Sequence, residues 1–490
     1  MPSLIFRPIS TALFAVLCVC VSSGFAQDTR PADGALTTPY RLEVVAENLR
    51  VPWSVGFLPD GRIVFTERPG RVRFIDRNGA LLPDAALTVD VALGNKMGML
   101  GLAVDPHFAN NHFLYVAHDY RREPFDAKKP EYRLRVVRYR EENNALTDAR
   151  TLIEDVPAWT NHTGCRLRFG PHDGKLYVTT GDANDPPLAQ RLDRLNGKIL
   201  RLNADGSVPE DNPFVHREGA RPEIWSYGHR NPQGIDFQPG TNRLLETEHG
   251  PNGGDEVNWV EAAHNYGWPL IDHRRTRDGL EAPWLEYSPS VAPGATIFYR
   301  GSAFPELQGN ALVACLRGEG LLRIDPAQAT SRPPTWLFHH TVGRVRECAE
   351  SPEGFLYLSS SQYDPDEGQP RPGDNDDLLL RLVPASMPPS QYREFKPTAT
   401  LAAAPQPVLS GVAAVIAQNC AACHGQNLAG GMQKSLVSGE WKYVHGDDDI
   451  RRIIREGLPE QGMPPAPATL TAADVDALVG YIRAHEKKGG

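Results

Sequence analysis

Two cysteines three positions apart, with a histidine directly after the second, stand in the stretch QNCAACHGQNLAGG (418–431) of a 490-residue chain that holds seven cysteines in all. Cys420, Cys423 and His424 spell Cys-x-x-Cys-His, the attachment pattern of c-type haem. Two thiols in adjacent turns reach the two vinyl groups of one porphyrin, and the imidazole falls beneath its iron. Zinc would need a second ligand pair, and no second Cys pair or His-x-His follows Cys423. A thioredoxin-like dithiol would end a βαβ strand, which this Ala-rich segment does not resemble. The iron needs a second axial ligand, and Met463, in the Pro-bounded loop GMPP (462–465) that cannot be helical, offers a thioether. Met432 and His445 are rivals, although Met432 follows His424 too soon to reach the opposite haem face with ease.

Helices must hold that constellation. Thr471 caps a segment in which Val475, Leu478, Val479 and Ile482 recur at helical spacing, one apolar stripe for core packing. Helix, Cys-x-x-Cys-His, Met loop and C-terminal helix together make residues 408–487 resemble a class I cytochrome c domain, small and all-α. Ahead of it, Pro384, Pro388, Pro389, Pro397, Pro405 and Pro407 give residues 384–407 the composition of an extended linker, so two domains joined by a semi-stiff tether are expected.

Residues 1–26 carry Arg7, the apolar run TALFAVLCVCVSSGFA (11–26) and small residues at Gly24 and Ala26. They read as a secretory signal peptide cleaved before Gln27, the alternative being an uncleaved N-terminal anchor. Export to the periplasm agrees with haem c, which bacteria attach outside the cytoplasm. Cys18 and Cys20 leave with the signal, and of Cys165, Cys315 and Cys348 at most one disulfide can form. A net charge of −9 without a basic run argues against a nucleic-acid partner and favours simple solubility.

The larger part of the chain repeats itself. VGFLPDGRIVFTE (55–67), LAVDPHFANNHFLYVAHD (102–119), LRFGPHDGKLYVTTGD (167–182), IDFQPGTNRLLETEHG (235–250), ELQGNALVACLRGEG (306–320) and AESPEGFLYLSSS (349–361) each read strand, Pro or Gly turn, strand. Such radial β repetition predicts an all-β six-bladed β-propeller over residues 40–383, with a β-sandwich as the competitor. Propellers bind ligands at their central channel. The loops NHTGCRLRFGP (161–171), SYGHRNPQGIDF (226–237), EHGPNGGDEVNWVEAAHNYGWP (248–269) and GRVRE (343–347) set His, Arg or Asn beside Gly, where backbone approaches a ligand closely. Arg230, Arg317, Arg344 and Arg346 come from separate units and would repel one another without an anion among them.

In order, NHTG, GHRNPQG (228–234), EHGPNGGDEVN (248–258), NYGWP (265–269), LRGEG and GRVRE resemble the soluble pyrroloquinoline quinone (PQQ) sugar dehydrogenases, the glucose, aldose-sugar and sorbosone dehydrogenase group. That resemblance covers roughly residues 40–383 and implies PQQ, whose three carboxylates would make the arginines tolerable. It implies that His162 is the base taking the sugar hydroxyl proton and that Arg230 polarises the adjoining quinone oxygen. Asn231, Gln233, Ser290, Arg317, Arg344 and Arg346 match cofactor-contacting positions. Gly250 and Pro251 resemble positions whose carbonyls hold a PQQ-bound calcium, and Glu256 and Tyr266 match part of a second calcium site. The family's Asp before the base is Asn161 here, expected to orient His162 without stabilising its charge, and Lys96 stands where relatives often have Gln near the sugar. Lys96 is read as a solvated surface residue.

The combined expectation is an exported quinohaemoprotein that oxidises an aldose to its lactone and hands electrons through its own haem to a respiratory cytochrome or quinone. Two alternatives stand beside it: a sugar aldehyde such as sorbosone as substrate, or a haem electron carrier whose propeller only docks. The sequence leaves the oligomeric state open.

Overall fold

The computed structural model describes residues 31–397, apart from 95, 125–130, 252, 330–331 and 363–376, and, beyond them, 435–439, 441–444, 446–458, 466, 470–486 and six single positions between 412 and 428. The strand–turn–strand units fold into six antiparallel blades. In the first, Pro52–Phe57 and Ile63–Glu67 flank the turn of VGFLPDGRIVFTE, and Arg71–Ile75 and Leu87–Thr88 lie outside them. The innermost strands of successive blades are Pro52–Phe57, Met99–Val104, Gly164–Phe169, Pro232–Phe237, Pro293–Phe298 and Val345–Glu350. Each touches the next, and the sixth touches the first, so they line a closed ring. A blade is covered on both faces by its neighbours, which is why Pro232–Phe237 and Pro293–Phe298 are buried at every position. This is the expected propeller; a sandwich would stack two sheets instead.

Closure comes from the N-terminal side. Blade six runs Val345–Glu350, Leu356–Ser360, Asp377–Pro384 and then Tyr40–Leu49, so a strand from the start of the domain zips the last blade shut. Two further strands extend the ring outward. Ala32–Asp33 pairs in parallel with Thr335 and Trp336 at the rim of blade five, and Arg393–Glu394 pairs with Glu43 and Val44 outside blade six.

That last strand corrects the linker expectation. Residues 385–397 do not hang free: Phe395 is buried with Leu42, Val44 and Leu382, and Tyr392 lies beneath the Arg381 guanidinium at 4.5 Å. Arg41 Nη1 donates to the carbonyls of Ala385 and Met387, and Ser390 Oγ donates to Glu43 at 2.9 Å. Proline composition misleads here because an outermost strand has one unpaired edge and tolerates residues without N–H, while the apolar Tyr392 and Phe395 supply the anchor. The propeller therefore starts before residue 40 and ends after 383; residues 398–407 of the expected linker lie outside the described residues.

In the C-terminal segment, Asp447–Glu456 and Ala472–His485 are helices. Thr471 and Asp474 form a capping box, and Val475, Leu478, Val479 and Ile482 are buried, the last three packing in one cluster with Ile416, Leu428 and Ile450. Among the described residues no helix is long and apolar enough to cross a membrane. Cys165, Cys315 and Cys348 are buried in blades three, five and six, and each is a free thiol, so none of the three pairs with another. They fill core positions as small apolar groups, and burial pushes all three thiols up from their ordinary range.

A chain ending after Pro397 should melt as the propeller of the full protein does, whereas one ending at Pro384, which lacks the outer strand and the Phe395 anchor, should melt lower. Phe395→Ala alone should cost about 3 kcal/mol. Thermal and urea unfolding of the full protein and the three variants measures both.

Candidate active site

Every innermost strand is irregular at its start. Register shifts fall between Pro52 and Ser54, Met99 and Leu102, Gly164 and Leu167, Pro232 and Gly234, Pro293 and Thr296, and Val345 and Glu347. Bulges of this kind turn side chains toward one mouth of the channel. Beneath them, Arg166 Nη1 meets Glu347 Oε2 at 2.6 Å, Arg166 Nε donates to the Gln233 carbonyl at 2.9 Å, and the guanidinium lies 4.2 Å from the Trp53 ring centroid. Above them, Arg346 Nη1 donates to Gln233 Oε1 at 3.0 Å.

His162 stands at the head of blade three with φ 58°, a left-handed conformation uncommon for a residue with a side chain and a mark of local strain. The turn after strand Leu176–Thr180 holds it there. Ala183 N–H donates to the His162 carbonyl at 3.1 Å, and Gly181 must be glycine, because a Cβ would come within 2.0 Å of that carbonyl oxygen. The ring is oriented by Asp182, whose Oδ1 lies 2.7 Å from His162 Nδ1. Asp182 also accepts from Trp268 Nε1 at 2.8 Å, and its own N–H donates to the Arg230 carbonyl at 2.9 Å. One fully buried carboxylate thus joins His162, Arg230 and Trp268. Nε2 is the ring nitrogen left to take a proton. Burial lowers the His162 pKa, the bond to Asp182 raises it, and nearby Arg230 lowers it; the balance is downward, so the imidazole is neutral at pH 7.

Arg230 is fixed from three sides. Its N–H donates to Glu248 at 2.5 Å, Nη1 donates to the His249 carbonyl at 2.9 Å, and its guanidinium faces the Trp268 ring at 5.2 Å. Its Nε is buried without a partner. The neighbouring Asn231 N–H shares Glu248 at 3.0 Å, and Asn231 Oδ1 accepts from Gly164 N–H at 3.1 Å. The His249 imidazole is held well below its ordinary pKa first by burial and then by the charges of Lys96, Arg230 and Arg346. Three positive charges therefore act on one neutral ring, and Arg230 adds a buried donor without a partner: a setting fitted to an anionic, acceptor-rich ligand.

On the adjoining edge of blade four, Glu248, Glu256 and Glu286 stand opposite one another across three strands, with Glu246 and Asn258 forming the next row. Asn258 Nδ2 bridges Glu246 and Glu256 at 3.1 and 3.0 Å. Burial and like charge raise Glu246 and Glu256 well above the usual carboxylate range. Carboxylates directly opposite one another repel, so this row suits a hard cation.

The family model for Glucose / Sorbosone dehydrogenase matches residues 49–368. The chain belongs to this family. A second model, cytochrome c oxidase cbb3-type subunit III, matches residues 408–482, so a cytochrome c domain follows the dehydrogenase domain. The chain is 31% identical over 369 residues to the aldose sugar dehydrogenase YliI of Escherichia coli strain K12, covering 72% of this chain and 96% of that one. It is 32% identical over 253 residues to quinoprotein glucose dehydrogenase B of Acinetobacter calcoaceticus, 47% of this chain and 52% of that one. The PQQ-bound aldose sugar dehydrogenase of Streptomyces coelicolor superposes with a TM-score of 0.58 at 28% identity over 71% of this chain and 100% of that one.

Within this dehydrogenase fold the residues singled out in the sequence divide. His162, Arg230, Asn231, Gln233 and Arg346 gather at one mouth of the channel. Arg344 is half-buried with Nε on the Ser361 carbonyl at 2.9 Å, and Arg317 is exposed on a turn, so the four arginines do not share one buried cluster. Ser290 Oγ donates to Asp255 Oδ2 at 2.6 Å, and Asp255 Oδ1 accepts from Gly250 N–H at 3.0 Å, which ties Ser290 to the loop of Gly250 and Pro251. The Tyr266 hydroxyl is bonded to the Trp259 carbonyl and the Glu261 N–H. One expectation is corrected. Asp182, not Asn161, orients His162, because the loop after strand Leu176–Thr180 folds back over it. Lys96 is half-buried, its backbone N–H donates to the Thr160 carbonyl at 2.8 Å, and its charge lowers the His249 pKa. No local signal marks Asp182, which lies 20 residues from its partner. In the haem segment, Cys420 N–H donates to the Ile416 carbonyl and His424 N–H to the Cys420 carbonyl, both at 2.9 Å, so Cys420 and His424 stand one helical turn apart. Cys423, Met463, Met432 and His445 lie outside the described residues.

A base acts in its neutral form, so sugar oxidation should fail as pH falls through the His162 pKa. Asp182→Asn removes an interaction that raises this pKa. The acidic limb of kcat/KM should therefore move to lower pH while the plateau drops by about 10² or more. A pH–rate profile of the variant checks both.

Proposed function

We propose that this chain is an exported, PQQ-dependent aldose dehydrogenase with its own electron exit. The observation that carries the reading is the His162–Asp182 pair set against Arg230, in a mouth where the charges of Lys96, Arg230 and Arg346 all act on the buried His249 ring. PQQ, when bound, supplies a two-electron acceptor for the hydride of the sugar carbon. Arg346 and Arg230 would hold its carboxylate and quinone oxygens, with Arg317, Arg344, Asn231, Gln233 and Ser290 around it. The carbonyls of Gly250 and Pro251 would hold a calcium against it, and Glu256 with the Tyr266 carbonyl and the neighbouring Glu248 and Glu286 would hold a second.

The chain's own chemistry is then specific. His162 Nε2 takes the hydroxyl proton, Asp182 balances the imidazolium so formed, and Arg230 presents a fixed positive charge that needs no reorganisation. An aldose leaves as its lactone. Cys420, Cys423, His424 and Met463 would hold haem c, which would supply a one-electron route to a cytochrome or quinone acceptor. The apolar run at residues 11–26 and the haem motif support a periplasmic location. The family name leaves sorbosone-like aldehydes as a second substrate class.

His162→Ala in protein reconstituted with PQQ and calcium should lower turnover by about 10²–10⁴ with PQQ affinity little changed. Stopped-flow mixing of the intact protein with aldose should reduce the haem. Dye reduction with the haem left oxidised would remove the cytochrome from the electron route, and full activity after chelation without PQQ would overturn the cofactor.

A further inference from the structure

Lys198 opens the third strand of blade three, and its side chain is fully buried. An ammonium there is cut off from water and needs acceptors from the protein. It has three: Nζ donates to the carbonyls of Leu188 at 3.0 Å, Ala189 at 2.9 Å and Asn196 at 2.5 Å. Three N–H donors meet three carbonyls, so the charged form has its bonding capacity filled. Packing around the amine is close, since a Cβ on Gly197 would come within 2.7 Å of Ala189.

All three carbonyls belong to the loop that carries Asp182 at its start, and the next residue after Ala189 faces the mouth. Gln190 Nε2 donates to the Trp268 carbonyl at 2.7 Å and to Asn265 Oδ1 at 3.0 Å, and its Oε1 accepts from Asn265 Nδ2 at 2.8 Å. Trp268 Nε1 in turn donates to Asp182 Oδ2 at 2.8 Å, and Asp182 orients His162. A chain of bonds therefore runs from a buried amine to the base.

We propose that Lys198 is a positioning residue for His162: its ammonium clamps the 188–190 turn, which through Gln190 keeps Trp268, and hence Asp182, in place. This rests on the sugar dehydrogenase reading, in which His162 takes the substrate proton.

The clamp depends on charge. A neutral amine has two N–H groups and a lone pair, so it must release one of the three carbonyls. Burial pushes the Lys198 pKa down to about 7, while the charge of Asp193 raises it. Asp193 is itself held by Arg191 at 2.6 Å and Arg194 at 3.2 Å. The strands on either side pair Lys198 with Thr180 and Tyr227, and the His229 N–H donates to the Gly197 carbonyl at 3.2 Å. The clamp is complete when Lys198 is protonated and is lost as pH rises, whereas His162 works only above its own lowered pKa. The two limits together give a bell-shaped profile.

The test uses the full chain reconstituted with PQQ and calcium, glucose as substrate and an artificial dye as acceptor. On the alkaline side of neutrality kcat should fall by about tenfold with KM held within about twofold, because the base and not the sugar is displaced. Lys198→Met and Gln190→Ala should each lower the plateau by about tenfold and lose the alkaline limb while keeping the acidic one. A lysine that only fills the core would cost stability and leave the shape of the profile alone. Fluorine NMR of the same protein, labelled with 5-fluorotryptophan and assigned with Trp268→Phe, reads the link without turnover. The Trp268 signal should shift in a step near neutral pH that Gln190→Ala lacks. An alkaline limb unchanged in Gln190→Ala, or no such step at Trp268, overturns the role of Lys198 and leaves the dehydrogenase reading intact, whether or not Lys198→Met folds. A step that Gln190→Ala abolishes, in a protein that oxidises no sugar, keeps the link from Lys198 to Trp268 and overturns the dehydrogenase reading.

Discussion

Arg166 lies on the inner strand of blade three and reaches across the channel to Glu347 of blade six, with Ser54 of blade one at 3.3 Å and the Gln233 carbonyl of blade four bonded to the same guanidinium. Both charges are almost wholly buried, and burial raises the Glu347 pKa despite the arginine beside it. A buried pair of this kind adds little net stability, but an ion left without its partner there costs several kcal/mol. Four of the six blades are thus held to one arrangement by a group that has no acceptable alternative. Gln233 and Arg346, which face the mouth of the channel, are set by this pair: one through its carbonyl on Arg166, the other by being next in sequence to Glu347.

A tier above, the same logic recurs with a carboxylate at its centre. Asp182 fixes a base in a strained backbone conformation, an indole and the backbone of Arg230; Glu248 fixes the N–H groups of Arg230 and Asn231. Acids beneath and cations above create the polarity of the mouth. The carboxylates are bonded by side chains and N–H groups of the protein itself, and the charges of Lys96, Arg230 and Arg346 act together on His249. A dehydrogenase that must stabilise negative charge on its acceptor and accept a proton at its base needs both halves, and the bulged heads of six inner strands deliver them from separate blades.

Ring closure explains how such a site stays rigid. Tyr40–Leu49 is shared between the two ends of the domain, and the strand Arg393–Glu394 covers its outer edge, so the blade that carries Arg346 and Glu347 is tied from both ends of the domain. The outermost strand also blunts an edge that would otherwise be open to pairing with another chain.

Much of this was legible in the residues. Six turn-punctuated units with alternating apolar positions specify a propeller because each unit can bury both faces only against its neighbours. Cys-x-x-Cys-His and the Thr471 cap specify a haem-binding helical segment because their geometry is local. GHRNPQG and EHGP mark the mouth because glycines there permit close backbone approach. What only the tertiary structure decided is everything that joins distant positions. Asp182 rather than Asn161 orients His162, the Lys96 charge acts on His249, Arg317 is exposed while Arg346 is buried, and a proline-rich stretch becomes an outer strand. Spacing along a chain fixes which way a side chain leaves its own strand or helix; which partner it meets depends on bulges, loop returns and ring closure, whose energies are summed over contacts between blades.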